Sequence, residues 1–145
     1  MSLSEDLYKE IIIEHSQSPS HRGHLAHPHV VEEGVNRSCG DEISVELMVT
    51  DGVVSEIRVN GRGCSISTAS ASMMADSVEG MTVEQAEDLI DDFKGMLLEN
   101  RAVAFPEELE DLEALKGVQK YPVRVKCATL AWNTLEQALR KAVKL

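Results

Sequence analysis

Three cysteines, Cys39, Cys64 and Cys127, stand far apart in the 145-residue chain. Cys39 is followed by a glycine and then by Asp41, and side chains two residues apart in an extended chain point to the same face. Three thiolates and one carboxylate form a four-ligand set suited to tetrahedral Zn²⁺ or to an iron–sulfur cluster. Because the spacing lacks the Cys-x-x-Cys pairs of a zinc finger, the fold would have to gather these ligands. We therefore predict a shared metal site, with incidental or core cysteines as the open alternative.

The neighbours of the second and third cysteines favour thiolates. Cys64 precedes a segment of small residues that is predicted to be helical, and the positive end of a helix dipole stabilises a thiolate. Glycines 61 and 63 are expected to keep the approach to this thiol open. Arg124 and Lys126 precede Cys127, and nearby cations lower the pKa of a thiol. The same two cations could balance an anionic site.

A second group of potential metal ligands is a set of four histidines in one short segment: His21, His24, His27 and His29. The segment contains prolines and a glycine and has no hydrophobic periodicity, so no helix or strand is expected to hold the imidazoles in a fixed geometry. We favour a solvated loop over a metal site here.

The composition excludes several classes of function. With 14 basic and 25 acidic residues the formal net charge is −11, which repels phosphate backbones and anionic lipids. We therefore expect no nucleic acid and no membrane as partners. The N-terminal sequence lacks the features of a signal peptide, and no segment reaches the ~20 apolar residues of a membrane span. These features, with an odd number of cysteines, predict a cytoplasmic protein whose thiols stay reduced.

The first elements that must position the cysteines are a helix and a sheet. Residues 2–17 are predicted to form a helix opened by a capping box of Ser2 and Glu5. Alternating apolar residues on both sides of Asp51-Gly52 predict a β-hairpin, and residues 30–37 could add a third strand.

Helical patterns occupy the rest of the chain, in four segments: residues 65–80, 82–99, 106–116 and 122 to the end. A capping box of Thr82 and Gln85 opens the second, and Gly117 is expected to end the third. The last helix is predicted to bury four apolar residues: Leu135, Leu139, Ala142 and Val143. The order predicts one α+β domain over residues 1–145, with several helices packed on one face of a small antiparallel sheet of about three strands.

The segments CGDEISVEL, GRGCSISTASASMM and PVRVKCATLAW, with the Asp-Gly hairpin, together resemble the U-type iron–sulfur cluster assembly proteins. The resemblance covers essentially the whole chain and is closer to the SufU branch than to the IscU branch. Lys126 stands where IscU proteins have a histidine, and KYPVRVK stands where they have Leu-Pro-Pro-Val-Lys. The region between Cys64 and Cys127 resembles the insertion typical of SufU.

This resemblance implies a SufU/IscU-like fold in which Cys39, Asp41, Cys64 and Cys127 bind Zn²⁺. It also implies a SufS-type pyridoxal-phosphate cysteine desulfurase as partner, with Cys39 accepting the persulfide sulfur, and downstream cluster-assembly proteins as further partners. Arg124 corresponds to a basic residue near the site. The implied activity is that of a zinc-dependent sulfurtransferase.

Three other functions stay open at this point. A scaffold protein would assemble a transient iron–sulfur cluster on the same ligands. A zinc-stabilised binding module would use the metal for folding and perform no sulfur chemistry. A thiol redox enzyme is the weakest of the three, because the chain has no Cys-x-x-Cys motif.

Overall fold

The computed structural model describes residues 3–143, with side chains from residue 9 onward. This part of the chain forms four α-helices, one 3₁₀ segment and one three-stranded antiparallel sheet in the order β1-β2-β3. In chain order the elements are α1 (Leu3–Gln17), β1 (Val30–Asn36), β2 (Asp41–Thr50), β3 (Val53–Arg62), α2 (Ser65–Val78), α3 (Val83–Leu98), the 3₁₀ segment (Glu107–Lys120) and α4 (Pro122–Val143). The predicted α+β class is confirmed. None of the helices in residues 3–143 has the length and apolar character that crossing a membrane requires.

The predicted hairpin is confirmed, with Asp51 and Gly52 forming the turn between β2 and β3. Their φ angles are 53° and 77°, and a type I′ turn requires positive φ at both central residues. A β-bulge between Met48 and Val49 then interrupts the predicted alternation. The bulge changes which residues face the core relative to the predicted alternation, and Val54 is fully buried.

The predicted third strand is β1, which runs antiparallel to β2. Asn36 pairs with Asp41, so the chain reverses direction through residues 37–40. Cys39 lies in this turn, next to Gly40, whose φ is 72°. The hairpin of β1 and β2 therefore presents Cys39 and Asp41 together at one end of the sheet.

One hydrophobic core joins the sheet to α2, α3 and α4. Phe93 in α3 stacks on Trp132 in α4 with a centroid distance of 4.2 Å, and both rings are fully buried. The small residues of α2 permit close contact with α4, where Ser70 Oγ donates to the Ala128 carbonyl (2.6 Å) and accepts from Trp132 Nε1 (2.9 Å). The two helices that carry the second and third cysteines at their N-terminal ends are thus fixed side by side.

The 3₁₀ segment is longer than predicted. It passes through Gly117 and ends at Lys120, so Gly117 is not a stop signal. Val118 is buried, and Gln119 Nε2 donates to two carbonyls near the end of α3, at 2.9 and 3.3 Å. These tertiary contacts extend the segment past a residue that often ends helices.

Most of the predicted helix details are confirmed where the structure describes them. The capping box of α3 is present, since Thr82 Oγ1 accepts from the Gln85 N–H and the Gln85 side chain accepts from the Thr82 N–H. The capping box predicted for Ser2 and Glu5 lies outside the residues whose side chains are described.

The inward face predicted for α4 is largely correct. Leu135 and Leu139 are fully buried, and Ala142 packs partly against the core. The prediction that Val143 lies in the core is wrong, because 66% of this residue is exposed. It is the last residue of α4, at the end of the described part of the chain.

The histidine segment is irregular, as predicted, but it is not simply solvated. Three of its histidines contact other elements: His21 contacts Asp76 and Glu79, His24 contacts Glu46, and His29 accepts from the Val49 N–H. These contacts stabilise a segment that lacks regular backbone hydrogen bonds. The imidazoles therefore attach this loop to the sheet and to α2.

Candidate metal centre

Three predicted ligands converge on one point. Cys39 Sγ, Cys127 Sγ and a carboxylate oxygen of Asp41 all lie within 4.8 Å of one another. The two sulfurs are 3.0 Å apart although the residues are 88 positions apart in the chain, and both are free thiols. Tetrahedral Zn–S bonds of about 2.3 Å separate two sulfur ligands by about 3.8 Å, so a small outward shift of either thiol accommodates the ion.

Asp41 supplies the strongest sign that a cation fits here. Its side chain is fully buried, and Oδ1 accepts the Cys64 N–H at 2.9 Å. Its second oxygen, Oδ2, is also buried and has no hydrogen-bond partner among the described residues. A buried carboxylate oxygen without a partner is costly, and a cation bound next to the two thiols would remove that cost.

Cys64 lies beside this group rather than within it. It is the N-cap residue of α2, and its Sγ accepts the Ser67 N–H at 3.5 Å. The cluster within 4.8 Å therefore contains three of the four predicted ligands, although Cys64 still helps to raise the pKa of the Cys127 thiol. The predicted helix N-terminus at Cys64 is confirmed, and here it holds the sulfur toward the helix amides.

Burial raises the pKa of the Cys127 thiol above its ordinary value, and the neighbouring side chains of Cys39, Asp41 and Cys64 raise it further. The predicted lowering of this pKa by nearby cations is therefore wrong for the protein alone. Burial prevails because the Cys127 side chain is fully buried whereas Arg124 is exposed. Metal coordination reverses the preference, since a ligating thiol is deprotonated.

Of the two predicted auxiliary cations, Arg124 is the one whose pKa is affected by the thiols. The charge of Cys64 and a hydrogen bond with it raise the pKa of the Arg124 guanidinium, and a hydrogen bond with Cys127 adds to this. Lys126 is exposed, and no contact with the thiols is present among residues 9–143. The difference follows from helix geometry, because residues two apart on a helix point in different directions.

Two neighbours of the site, Asn36 and Gly63, have contacts that the sequence did not predict. The Asn36 side chain accepts the Ser38 N–H (3.3 Å) and donates to Cys127 Sγ (3.8 Å), so it links the turn to α4. Gly63 leaves space that the Asp41 carboxylate fills, instead of opening an approach to a thiol. The role of Asn36 could have been predicted from the sequence, because asparagine is common where a turn begins. The contact of Gly63 with Asp41 depends on the folded structure and could not.

An open groove begins at Cys64 and is bordered by the start of α4. Its walls include Ile66, Tyr121 and Val123, with Arg124 at the thiol end. Tyr121 and Val123 are 62% and 60% exposed. Apolar side chains exposed next to a reactive site are typical of a surface that receives another protein.

Comparisons with known proteins identify the family and support the fold. The family model described as the NifU-like N terminal domain matches residues 7–144. The chain is 43% identical over 136 residues to the iron–sulfur cluster assembly scaffold protein IscU of Thermotoga maritima, covering 93% of this chain and 94% of that protein. It is 37% identical over 137 residues to the zinc-dependent sulfurtransferase SufU of Bacillus subtilis, covering 94% and 92%. The crystal structure of a nitrogen-fixing NifU-like protein (N-terminal) from Brucella abortus has a TM-score of 0.87 at 27% identity and covers 99% of each chain.

Proposed function

The chain belongs to the NifU-like N-terminal domain family of iron–sulfur cluster assembly proteins, and from this premise we propose that it is a zinc-dependent sulfur acceptor. In this proposal Cys39, Asp41, Cys64 and Cys127 hold Zn²⁺. A SufS-type pyridoxal-phosphate cysteine desulfurase donates persulfide sulfur to Cys39, and downstream cluster-assembly proteins receive it. The relative named as a zinc-dependent sulfurtransferase supports this role.

The observation that carries the proposal is the orphaned Oδ2 of Asp41, buried beside two thiols. A carboxylate and soft sulfur donors together suit zinc. Zinc would supply a redox-inert positive charge that keeps the thiolates deprotonated. A structural core cysteine would need no buried, unpartnered carboxylate next to it.

Cys39 is the best placed of the three thiols to accept sulfur. It lies in a turn beside Gly40 and is half-buried, whereas Cys127 is fully buried and Cys64 is fixed as an N-cap. Its thiolate attacks the outer sulfur of the donor persulfide, a new S–S bond forms on Cys39, and the donor's S–S bond breaks to release its cysteine thiolate. Charge is conserved, since one thiolate and one persulfide anion enter and leave.

Arg124 and the adjacent groove would serve the encounter with the desulfurase. The charges of Cys64 and Cys127 already act on the guanidinium and raise its pKa, so it can offset anionic charge when a persulfide arrives. Lys126 would contribute only to the positive electrostatic potential at this end of α4. The exposed side chains of Tyr121 and Val123 offer apolar contact area to the partner.

Closely spaced free thiols also suit the reducing cytoplasm, where we place the protein.

A second candidate function is favoured by the relative named as an IscU scaffold protein, with 43% identity. In this case the same four residues would hold a transient iron–sulfur cluster. Thiolate ligands serve both roles, and the ligand set does not separate them.

Metal analysis and sulfur transfer together test the proposal. We expect about one zinc per chain and a colourless protein after purification with or without oxygen, and persulfide on the protein after incubation with the desulfurase and free cysteine. Stoichiometric iron and sulfide with visible absorption would favour the scaffold instead. Zinc without any sulfur transfer would reduce the protein to a zinc-stabilised binding module.

A further inference from the structure

Gly63 lies between β3 and α2, directly before Cys64. Its φ does not lie in the left-handed region, so its backbone conformation is open to any residue. A side chain is excluded for another reason. A Cβ on Gly63 would lie 2.4 Å from Oδ1, 2.9 Å from Cγ and 3.1 Å from Cβ of Asp41. The carboxylate of Asp41 thus occupies the place that a side chain at position 63 would take.

This packing determines which oxygen of Asp41 is available. Oδ1 accepts the Cys64 N–H at 2.9 Å, while Oδ2 has no partner among the described residues. Because the Asp41 side chain is fully buried, it has little space in which to move away from an added methyl group. The carboxylate is held by one oxygen, and the other remains beside the thiols of Cys39 and Cys127.

We propose that Gly63 is a positioning residue whose missing side chain forms the cradle that presents Asp41 to the metal through a single oxygen, Oδ2. This inference rests on the metal site of the proposed function and is independent of sulfur transfer. A methyl group at position 63 displaces the carboxylate, breaks its bond to the Cys64 N–H and turns Oδ2 away from the thiols.

The main test compares Gly63→Ala with Gly117→Ala. Gly117 is a matched control, because its φ is also outside the left-handed region and nothing lies within 4 Å of an added Cβ. Zinc affinity is measured by competition with a chelator. Gly63→Ala is expected to weaken zinc binding by about 10–100-fold, the usual effect of losing a group that orients a metal ligand, while Gly117→Ala leaves it unchanged. Equal affinities for Gly63→Ala and the unaltered protein would overturn the proposal.

A double-mutant cycle separates positioning from a general effect on folding. In Asp41→Ala the two nearest atoms that an added Cβ would meet, Oδ1 and Cγ of Asp41, disappear, and the Asp41 Cβ at 3.1 Å remains. Adding Gly63→Ala to Asp41→Ala should therefore cost little further zinc affinity or thermal stability. The same loss in both backgrounds would make Gly63 a structural glycine only. If Gly63→Ala alone does not fold, the double variant should fold, and its failure to do so would also refute the proposal.

Amide hydrogen exchange gives a readout that needs no metal. In the zinc-free protein the Cys64 N–H should exchange faster in Gly63→Ala and in Asp41→Ala, but not in Gly117→Ala. Unchanged exchange in Gly63→Ala would show that the carboxylate has not moved. A protein that transfers no sulfur would refute the proposed function while these results on the cradle still stand.

Discussion

At the residue scale, the four candidate ligands differ in what holds them. Cys127 is buried within α4, Cys64 is fixed at the start of α2, and Asp41 is tied to a backbone amide. Cys39 lies in a turn, and its thiol has hydrogen bonds with the Cys127 thiol at 3.0 Å and with the Val123 carbonyl at 4.0 Å. A ligand held by few contacts can leave the metal at lower cost, and the four side chains should therefore respond differently to substitution.

Cys39→Ser is expected to abolish sulfur transfer while zinc binding is weakened but not necessarily lost, since three anchored ligands remain. Mass spectrometry after reaction with the desulfurase and cysteine should locate the extra sulfur on Cys39 of the unaltered protein. Extra sulfur on Cys64 or Cys127, with an active Cys39→Ser variant, would contradict the assignment and leave Cys39 as a structural ligand.

Asp41→Ala should impair transfer by a different route, because the Cys39 thiolate survives but a metal ligand is missing. Zinc content should fall, and excess zinc should restore part of the transfer activity. Full activity at an unchanged zinc content would show that Asp41 does not ligate the metal.

Arg124→Ala should reduce the rate of sulfur transfer several-fold at an unchanged zinc content, since the guanidinium interacts electrostatically with Cys64 and Cys127. Lys126→Ala is the comparison and should have a smaller effect, because Lys126 is exposed and neither Cys64 nor Cys127 is known to act on it. Single-turnover kinetics would measure both. Equal effects of the two changes would indicate a general influence of positive charge.

At the element scale, the site depends on how loops and helix ends are fastened. The segment before β1 is attached to the sheet through Glu46, a buried carboxylate that accepts from the Leu25 N–H and contacts His24. Burial acts to raise the pKa of Glu46, but hydrogen bonds with His24 and the Leu25 N–H and the charges of His24 and Arg58 outweigh it and lower the pKa.

This lowered pKa has a consequence for stability against pH. Ionised Glu46 contributes stability that is present above its ordinary pKa of 4.5 and is lost as the pH falls through the lower folded-state value. His24→Ala should reduce the free energy of unfolding at pH 7. It should also make this free energy decrease less steeply as the pH falls below 5, as measured by urea denaturation across pH. If the variant's free energy of unfolding decreases below pH 5 as steeply as that of the unaltered protein, the ion pair of His24 and Glu46 contributes nothing to stability.

The capping box of α3 gives a prediction remote from the metal. Thr82→Ala removes a side-chain cap and should lower the free energy of unfolding by about 1 kcal/mol. Zinc content and sulfur transfer should not change, because α3 carries none of the candidate ligands. Denaturant unfolding of the zinc-loaded protein measures the effect, and a loss of zinc in this variant would reveal a coupling that the structure does not predict.

At the scale of the whole molecule, a metal would join parts of the fold that the chain connects only indirectly. The candidate ligands come from the β1–β2 turn, the start of α2 and the first turns of α4. The core that holds these elements together is extensive, and Trp132, Phe93 and Leu47 are fully buried within it. The fold should therefore gain stability from zinc without depending on zinc.

Removal of zinc by a chelator is expected to lower the melting temperature by several degrees, since binding to the native state alone adds to its stability. The zinc-free protein should remain partly structured because the core is retained. Circular dichroism during thermal unfolding measures both effects, and re-addition of zinc is the control. An identical melting curve after verified removal would show that the site is not coupled to stability.

The sequence by itself determined the features that neighbouring residues decide. Asp51-Gly52 requires a hairpin turn because of backbone sterics, and the cap at Thr82 follows from hydrogen bonds across three positions. The residue types of the candidate ligands could also be predicted from the sequence. Only the tertiary structure decided that Cys39 and Cys127 meet at 3.0 Å, that burial raises the pKa of the Cys127 thiol, and that Gly63 makes room for a carboxylate. These depend on distances and burial between segments far apart in the chain, which packing establishes and local patterns do not encode.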